Sequence, residues 1–359
     1  MDFDLTEEQY MLNDTVRRFY EKEAPTTRLL EIFDTGAGLD RPLWNRSAEL
    51  GLAGLLVPER YGGVGLEMLD LAVASDAMGY CAAPGPLLGH SLLTLALTLG
   101  GSDEQKARWL PGLASGDLVG SIAFGEEGDA WQPEQWSLAI SDGRLSGTKK
   151  NVLFPADADL FLVGVEGGGL AVVESGAPGV STQEWDGVDR TRRIGGLSLD
   201  EAPCAPLPCD SVVAGRVRDA GLIFLAADAY GGAHRSVQMT VDYASERVQF
   251  GKTIAHFQGV KHQIADAATE VEPARALVWY AAYAFDHRPE EAPRLAALAK
   301  AHLAEVYVNA SRTMVMLHGG IGYTWEFHCQ FWLKRAMFDR NYLGSPSVHR
   351  ERAAVLAGW

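Results

Sequence analysis

Arginine, an aromatic ring and glycine fall together in Glu246-Arg247-Val248-Gln249-Phe250-Gly251-Lys252, and Phe257-Gln258 follows closely. In a tight break between two long helices this set suits an anionic cofactor. Arginine offers a forked donor matched to pyrophosphate, and Gly251 allows close backbone approach. The same residues also describe a helix–helix corner with a surface arginine. A second candidate is His318-Gly319-Gly320-Ile321-Gly322-Tyr323-Thr324. Three glycines after a long helix can present backbone N–H groups to phosphate, or only end the helix. His318 beside them suits either a cofactor contact or a hydrogen-bonded structural role. His256, His262 and His349 show no metal-ligand spacing.

These residues need elements to hold them, and the chain has three textures. Residues 1–115 read as helices, with Thr6 and Gln9 forming a capping box ahead of Leu12, Val16 and Phe19. Residues 116–215 carry short β-prone pieces such as 118–124, 136–141, 160–165 and 170–173, which predict an all-β sandwich or barrel. Asp142-Gly143 and Gly167-Gly168-Gly169 read as hairpin connections. Residues 216–359 return to long, Ala-rich helices over 219–246, 258–285, 292–317 and 323–341, which pack as a bundle. Trp325 and Trp332 fall on the last of these at a spacing of seven. Tyr230-Gly231-Gly232 suits either an acyl cavity or close helix packing.

Composition narrows the partners. The 359 residues hold 31 Lys+Arg and 47 Asp+Glu, a net charge of −16. From Arg216 onward 16 basic residues face 14 acidic ones, whereas 15 face 33 before it. No clustered basic face offers itself to nucleic acid or anionic membrane. No apolar run approaches the roughly 20 residues of a membrane span. The acidic start lacks the pattern of a secretory signal, and four cysteines without a CxxC pair suit reduced thiols, so a cytoplasmic location is expected.

LTEEQ at the start, GLAGLLVPERYGGVG near Gly51, ERVQFGKTIAHFQGVKHQIAD and HGGIGYTWE together make the chain resemble the acyl-CoA dehydrogenase family from end to end. The resemblance implies an α+β fold: an N-terminal all-α domain (1–115), a central β-barrel or sandwich domain (116–215) and a C-terminal four-helix bundle (216–359). It also implies FAD and α,β-desaturation of a CoA thioester, with a carboxylate taking the α-proton. In family terms Arg247, Phe250, Gln258, His318, Gly319 and Gly320 resemble the set that reaches across an interface to a neighbour's FAD.

The departures are as informative. The family's catalytic glutamate falls in a Tyr-Glu-Gly-Thr-like turn, here Tyr342-Leu343-Gly344-Ser345, and leucine accepts no proton. The alternative base position falls at Gly221, next to Leu222. In the β domain the family's flavin-facing segments read Phe124-Gly125-Glu126-Glu127-Gly128-Asp129-Ala130 and Lys149-Lys150-Asn151-Val152-Leu153, with Asn151 for tryptophan and Leu153 for a hydroxyl. Met316 stands where a glutamine often precedes the His-Gly-Gly. Residues given to the chain's own flavin are missing, while those given across the interface remain.

That asymmetry resembles the non-catalytic subunit of bacterial heterotetrameric acyl-CoA dehydrogenases of the steroid side-chain type. Such a subunit shares FAD with a second family subunit that carries the glutamate. Two alternatives stay open. One is a homomeric enzyme with a relocated base at Asp228, nearly two helical turns after Gly221 and so on about the same face. The other is a CoA-ester binding protein without redox chemistry.

Overall fold

The computed structural model describes residues 4–36, 38–325 and 327–359. Three residues of the acidic start and Glu326 of the glycine-rich motif lie outside them. The helices begin where the capping chemistry directs. Thr6 Oγ1 accepts from Gln9 N and the Gln9 amide accepts from Thr6 N, opening α1 (Glu7–Glu23). Next come α2 (Thr26–Thr35), α3 (Arg41–Glu49), α4 (Met68–Tyr80), α5 (Leu87–Gly100) and α6 (Asp103–Ala114).

The chain divides into two compact units. One comprises Gly36–Leu71 and Pro84–Gly221, the other Met1–Thr35, Ala72–Ala83 and Leu222–Trp359.

The first unit holds the β structure. Its strands are β1 (Gly120–Ala123), β2 (Ile140–Ser141), β3 (Arg144–Leu153), β4 (Leu160–Val165), β5 (Gly169–Glu174), β6 (Val180–Trp185), β7 (Ile194–Pro203) and β8 (Ala205–Pro206). They form two four-stranded sheets, ordered β1-β4-β5-β8 and β2-β3-β7-β6. Only β1 and β4 pair in parallel among these. Leu145 and Val152 of β3, Phe161 and Val163 of β4, Val173 of β5 and Leu197 of β7 share one buried core, so the sheets make a sandwich. Strand β4 is buried on both faces, because α5 packs against β1 and β4. Asp142-Gly143 turns between β2 and β3 with both residues at positive φ, as a two-residue hairpin requires. The expected strand 136–141 pairs only over Ile140–Ser141. Trp136 instead lays its indole on Gly164, where an added Cβ would come within 2.5 Å of the ring.

The second unit is helical. Helix α7 (Ser211–Glu246) starts eight residues ahead of the expected Asp219, because Asp210 Oδ1 accepts from Val212 N and opens it there. Then come α8 (Gln258–His287), α9 (Ala292–His318), α10 (Cys329–Asn341) and α11 (Pro346–Leu356). The expected helix over 323–341 begins only at Cys329. Thr324 donates through both N and Oγ1 to Ile321 O, closing a separate turn over Gly319–Tyr323. Trp325 and Trp332 therefore do not share a helix. Glycine sets how closely α4 and α7 approach. A Cβ at Gly79 would lie 1.9 Å from Asp228 O, and one at Gly231 would lie 1.9 Å from Asp76 O. A Cβ at Gly232 would meet the Tyr307 ring at 2.2 Å, so close packing accounts for the Gly231-Gly232 pair.

Candidate functional site

Between α7 and α8 the chain makes a hairpin, β9 (Val248–Gln249) with β10 (Lys252–Thr253). Its turn residues Phe250 (φ 53°) and Gly251 (φ 75°) are both left-handed, the geometry of a type I′ turn. A phenylalanine seldom occupies that region, yet Phe250 does so with 92% of its surface exposed. The Phe257 ring meets it in a T-shaped contact, with centroids 6.2 Å apart. The neighbouring Arg247 is exposed, and its guanidinium has no partner among the described residues. Backbone bonds from Arg247 N to Tyr243 O (2.9 Å) and from Ile254 N to Arg247 O (2.8 Å) fix its Cα. Gln258, also exposed, begins α8. Arg247, Phe250 and Gln258 thus lie within one short connection.

The glycine-rich turn sits at the end of α9. His318 is buried. Its Nδ1 lies 2.7 Å from Met314 O, and its ring stacks on Tyr243 at 4.2 Å. Burial holds its pKa below the ordinary imidazole value, so the neutral ring donates through Nδ1 to that carbonyl. The imidazole engages its own chain, and its bearing on the turn is to anchor it. Gly319 adopts φ 64°, ψ −140°, open in practice to glycine alone. Gly320 lacks that reason. Its φ is not left-handed, and an added Cβ would meet nothing within 4 Å.

The turn where the resemblance expects the catalytic base holds Leu343. Leu343 has φ 61° and is fully buried. His349 Nε2 lies 3.0 Å from Leu343 O. Lys300, buried in α9, donates to the carbonyls of Asp339 and Arg340 at the end of α10, a favourable place for a cation. Gly221 lies within α7, and Leu222 is fully buried. Asp228 is fully buried and faces Arg335 of α10, whose Nη1 lies 3.1 Å from each carboxylate oxygen. Arg335 Nη2 donates to Ala83 O at 2.8 Å.

In the β unit Asn151 (φ 55°) sits in an irregularity of β3 between Lys149 and Val152. Leu153 is fully buried, its Cδ1 3.5 Å from where a Cβ on Gly89 of α5 would stand. Its carbonyl accepts from Ser121 Oγ at 2.6 Å. The leucine therefore packs into its own unit and offers no donor. Buried Lys149 pairs with Glu126 at 2.5 Å, and Glu126 also accepts from Ser137 Oγ at 2.6 Å. Burial pushes the Glu126 pKa up, but the bonds from Lys149 and Ser137 and the lysine's charge together hold it below the ordinary range. Exposed Glu127 pairs in turn with Lys150 at 2.5 Å, so both lysines of the segment are engaged by its own carboxylates.

Sequence reasoning missed Lys300 and Lys149. A lone lysine amid AALAKAHLAE is the one signal that marks Lys300 for burial.

The β sandwich and the helical unit are the architecture of a known class of dehydrogenases. Residues 6–117 match the N-terminal domain of acyl-CoA dehydrogenases, and residues 220–355 match their C-terminal domain. The chain belongs to the acyl-CoA dehydrogenase family. It is 32% identical over 342 residues to acyl-CoA dehydrogenase IpdE2 of Mycobacterium tuberculosis, covering 95% of this chain and 94% of that one. The fold also matches the Tcur3481-Tcur3483 steroid ACAD (G363A variant) with a TM-score of 0.89 and 30% identity, covering 98% of both chains. The ChsE4-ChsE5 complex from Mycobacterium tuberculosis matches with a TM-score of 0.90 and 26% identity, covering 100% of this chain and 99% of that one.

Proposed function

We propose that this chain is the non-catalytic subunit of a heteromeric FAD-dependent acyl-CoA dehydrogenase, completing a flavin site on a second family subunit. The observation that carries the reading is a contrast in exposure. Leu343 and Leu153, at the base and flavin-edge positions, are fully buried hydrocarbon, whereas Phe250 is 92% exposed and Arg247 and Gln258 stand open beside it. The names of the steroid ACAD and of the ChsE4-ChsE5 complex are compatible with a paired assembly and a bulky acyl group.

In this reading the division of labour follows from the residues. FAD, when bound, supplies the acceptor for the β-hydride. The Arg247 guanidinium would pair with its pyrophosphate as a two-pronged donor. Gln258 offers an amide and Phe250 an apolar cover. The backbone at Gly319 and Gly320 offers N–H groups without side chains in the way. The α-proton would go to a carboxylate on the second subunit, since this chain has none at Leu343 or Gly221. The neutral balance of residues 216–359 suits a part that meets other subunits, where like charge is unfavourable.

The test is flavin stoichiometry. The chain purified alone should show no flavin absorbance band and no dehydrogenase activity. Co-expressed with a second family subunit that retains the glutamate, it should carry one flavin per two chains. One flavin per chain, with turnover, in the protein expressed alone would overturn the proposal.

A further inference from the structure

We infer that the glycine-rich turn is held as a preset backbone surface by two aromatic anchors, Tyr243–His318 ahead of it and Trp325–Asp34 behind it. The inference rests on the proposed function for what the turn meets, but the clamp itself concerns this chain alone.

Gly319 and Gly320 bring no side chains, and nothing packs where their Cβ atoms would be. The turn therefore has no anchor of its own at these positions, and glycine backbone is the most costly to order. Backbone donors aimed at a ligand work best when already in place. Both ends of this turn supply the missing restraint. Ahead of it, the His318 ring stacks on Tyr243 with 21° between planes, and Tyr243 Oη lies 3.4 Å from His318 O. Phe327 returns from beyond the turn to a tilted contact with His318 at 5.3 Å.

Behind it, Trp325 Nε1 donates to Asp34 Oδ1 at 2.5 Å, tying the segment to the end of α2. Lys334 Nζ lies 4.1 Å from the Trp325 ring centroid and 4.8 Å from that of Phe33, a cation on the faces of two rings. Gln330 Nε2 donates to Trp325 O. A tryptophan that served only the core would be buried, yet Trp325 is 45% exposed. Its indole is engaged at its edge and on its face, which suits a strut better than a core residue. Trp325 and Tyr243 are thus positioning residues, touching no reacting atom.

The experiment uses Trp325→Ala, Trp325→Phe and Tyr243→Leu with two readouts. Amide hydrogen exchange across residues 319–324 in the chain alone should quicken at least about tenfold in Trp325→Ala and Tyr243→Leu. Trp325→Phe keeps the ring under Lys334 and should fall between. In the complex with the second subunit, FAD should dissociate faster in the same order. Unchanged exchange in both large truncations overturns the clamp. Faster exchange with unchanged FAD release overturns its positioning role. Flavin-free wild-type complex overturns the proposed function instead, and exchange still decides the clamp. Should Trp325→Ala fail to fold, Asp34→Ala removes the same bond from an exposed position and takes its place.

Discussion

Asp228 and Arg335 form an ion pair from which water is excluded on every side. Both side chains are fully buried, with Nη1 at 3.1 Å from each carboxylate oxygen. A carboxylate so held, against an arginine that keeps its charge, is a structural counter-ion and a poor general base. Asp228→Leu should destabilise the chain by about 3–5 kcal/mol, because it strands a buried guanidinium. Replacing both residues with apolar ones of similar volume should recover most of that loss. Urea unfolding of Asp228→Leu, Arg335→Met and the double variant measures it.

Leu343 occupies a turn that Lys300 and His349 still hold in shape. Leu343→Glu should nevertheless give no dehydrogenase activity in the chain alone, because Leu153 and Asn151 offer no flavin edge. It should also lower stability by several kcal/mol at a site with no exposure. An acyl-CoA assay with a dye acceptor, beside a thermal melt, tests both. Flavin-dependent turnover would show that one carboxylate was all the chain lacked.

Phe250 and Arg247 should behave as surface residues in the free chain. Phe250→Ala and Arg247→Ala are expected to change its stability by no more than about 0.5 kcal/mol. In the complex, Arg247→Ala should lose flavin, with Arg247→Lys restoring little because lysine lacks the fork. Flavin content after gel filtration is the measure. A large loss of stability in the free chain would assign these residues to packing.

Asp76 should tilt stability with pH. Burial raises its carboxyl pKa from 3.8 to about 7, although Arg17, Arg275 and a bond from Asn13 oppose the change. Between about pH 4 and 7 the folded chain therefore holds a proton that the unfolded chain has released. Stability should fall as pH rises through that window. His90 works oppositely, since burial lowers its pKa from 6.5 to about 4, and its contribution is lost as pH falls through the same range. Asp76→Asn should flatten the first slope and leave the second. Unfolding midpoints from pH 4 to 8 for both proteins separate them; identical profiles would place the Asp76 proton elsewhere.

Much of this was legible in the chain. The capping box at Thr6, the turn at Asp142-Gly143 and the order of helices, sandwich and helices follow from local pattern. The strand over 136–141 narrows to Ile140–Ser141 and the helix over 323–341 begins only at Cys329, because Trp136 packing on Gly164 and the bond from Thr324 to Ile321 override propensity. Lys149 and Lys300 were missed because a lysine reads as surface until its carboxylate or carbonyl partner is known.

The sequence by itself determined the family and the order of helices, strands and helices, because residue types and their spacing in short motifs are local properties. Only the tertiary structure decided what each charged or aromatic side chain faces. Asp228 meets Arg335 across 107 positions, His318 turns inward onto Tyr243, and Trp325 reaches Asp34 across 291. No local period encodes such pairs. They arise when helices pack, and burial then determines whether a polar group binds a ligand or its own fold.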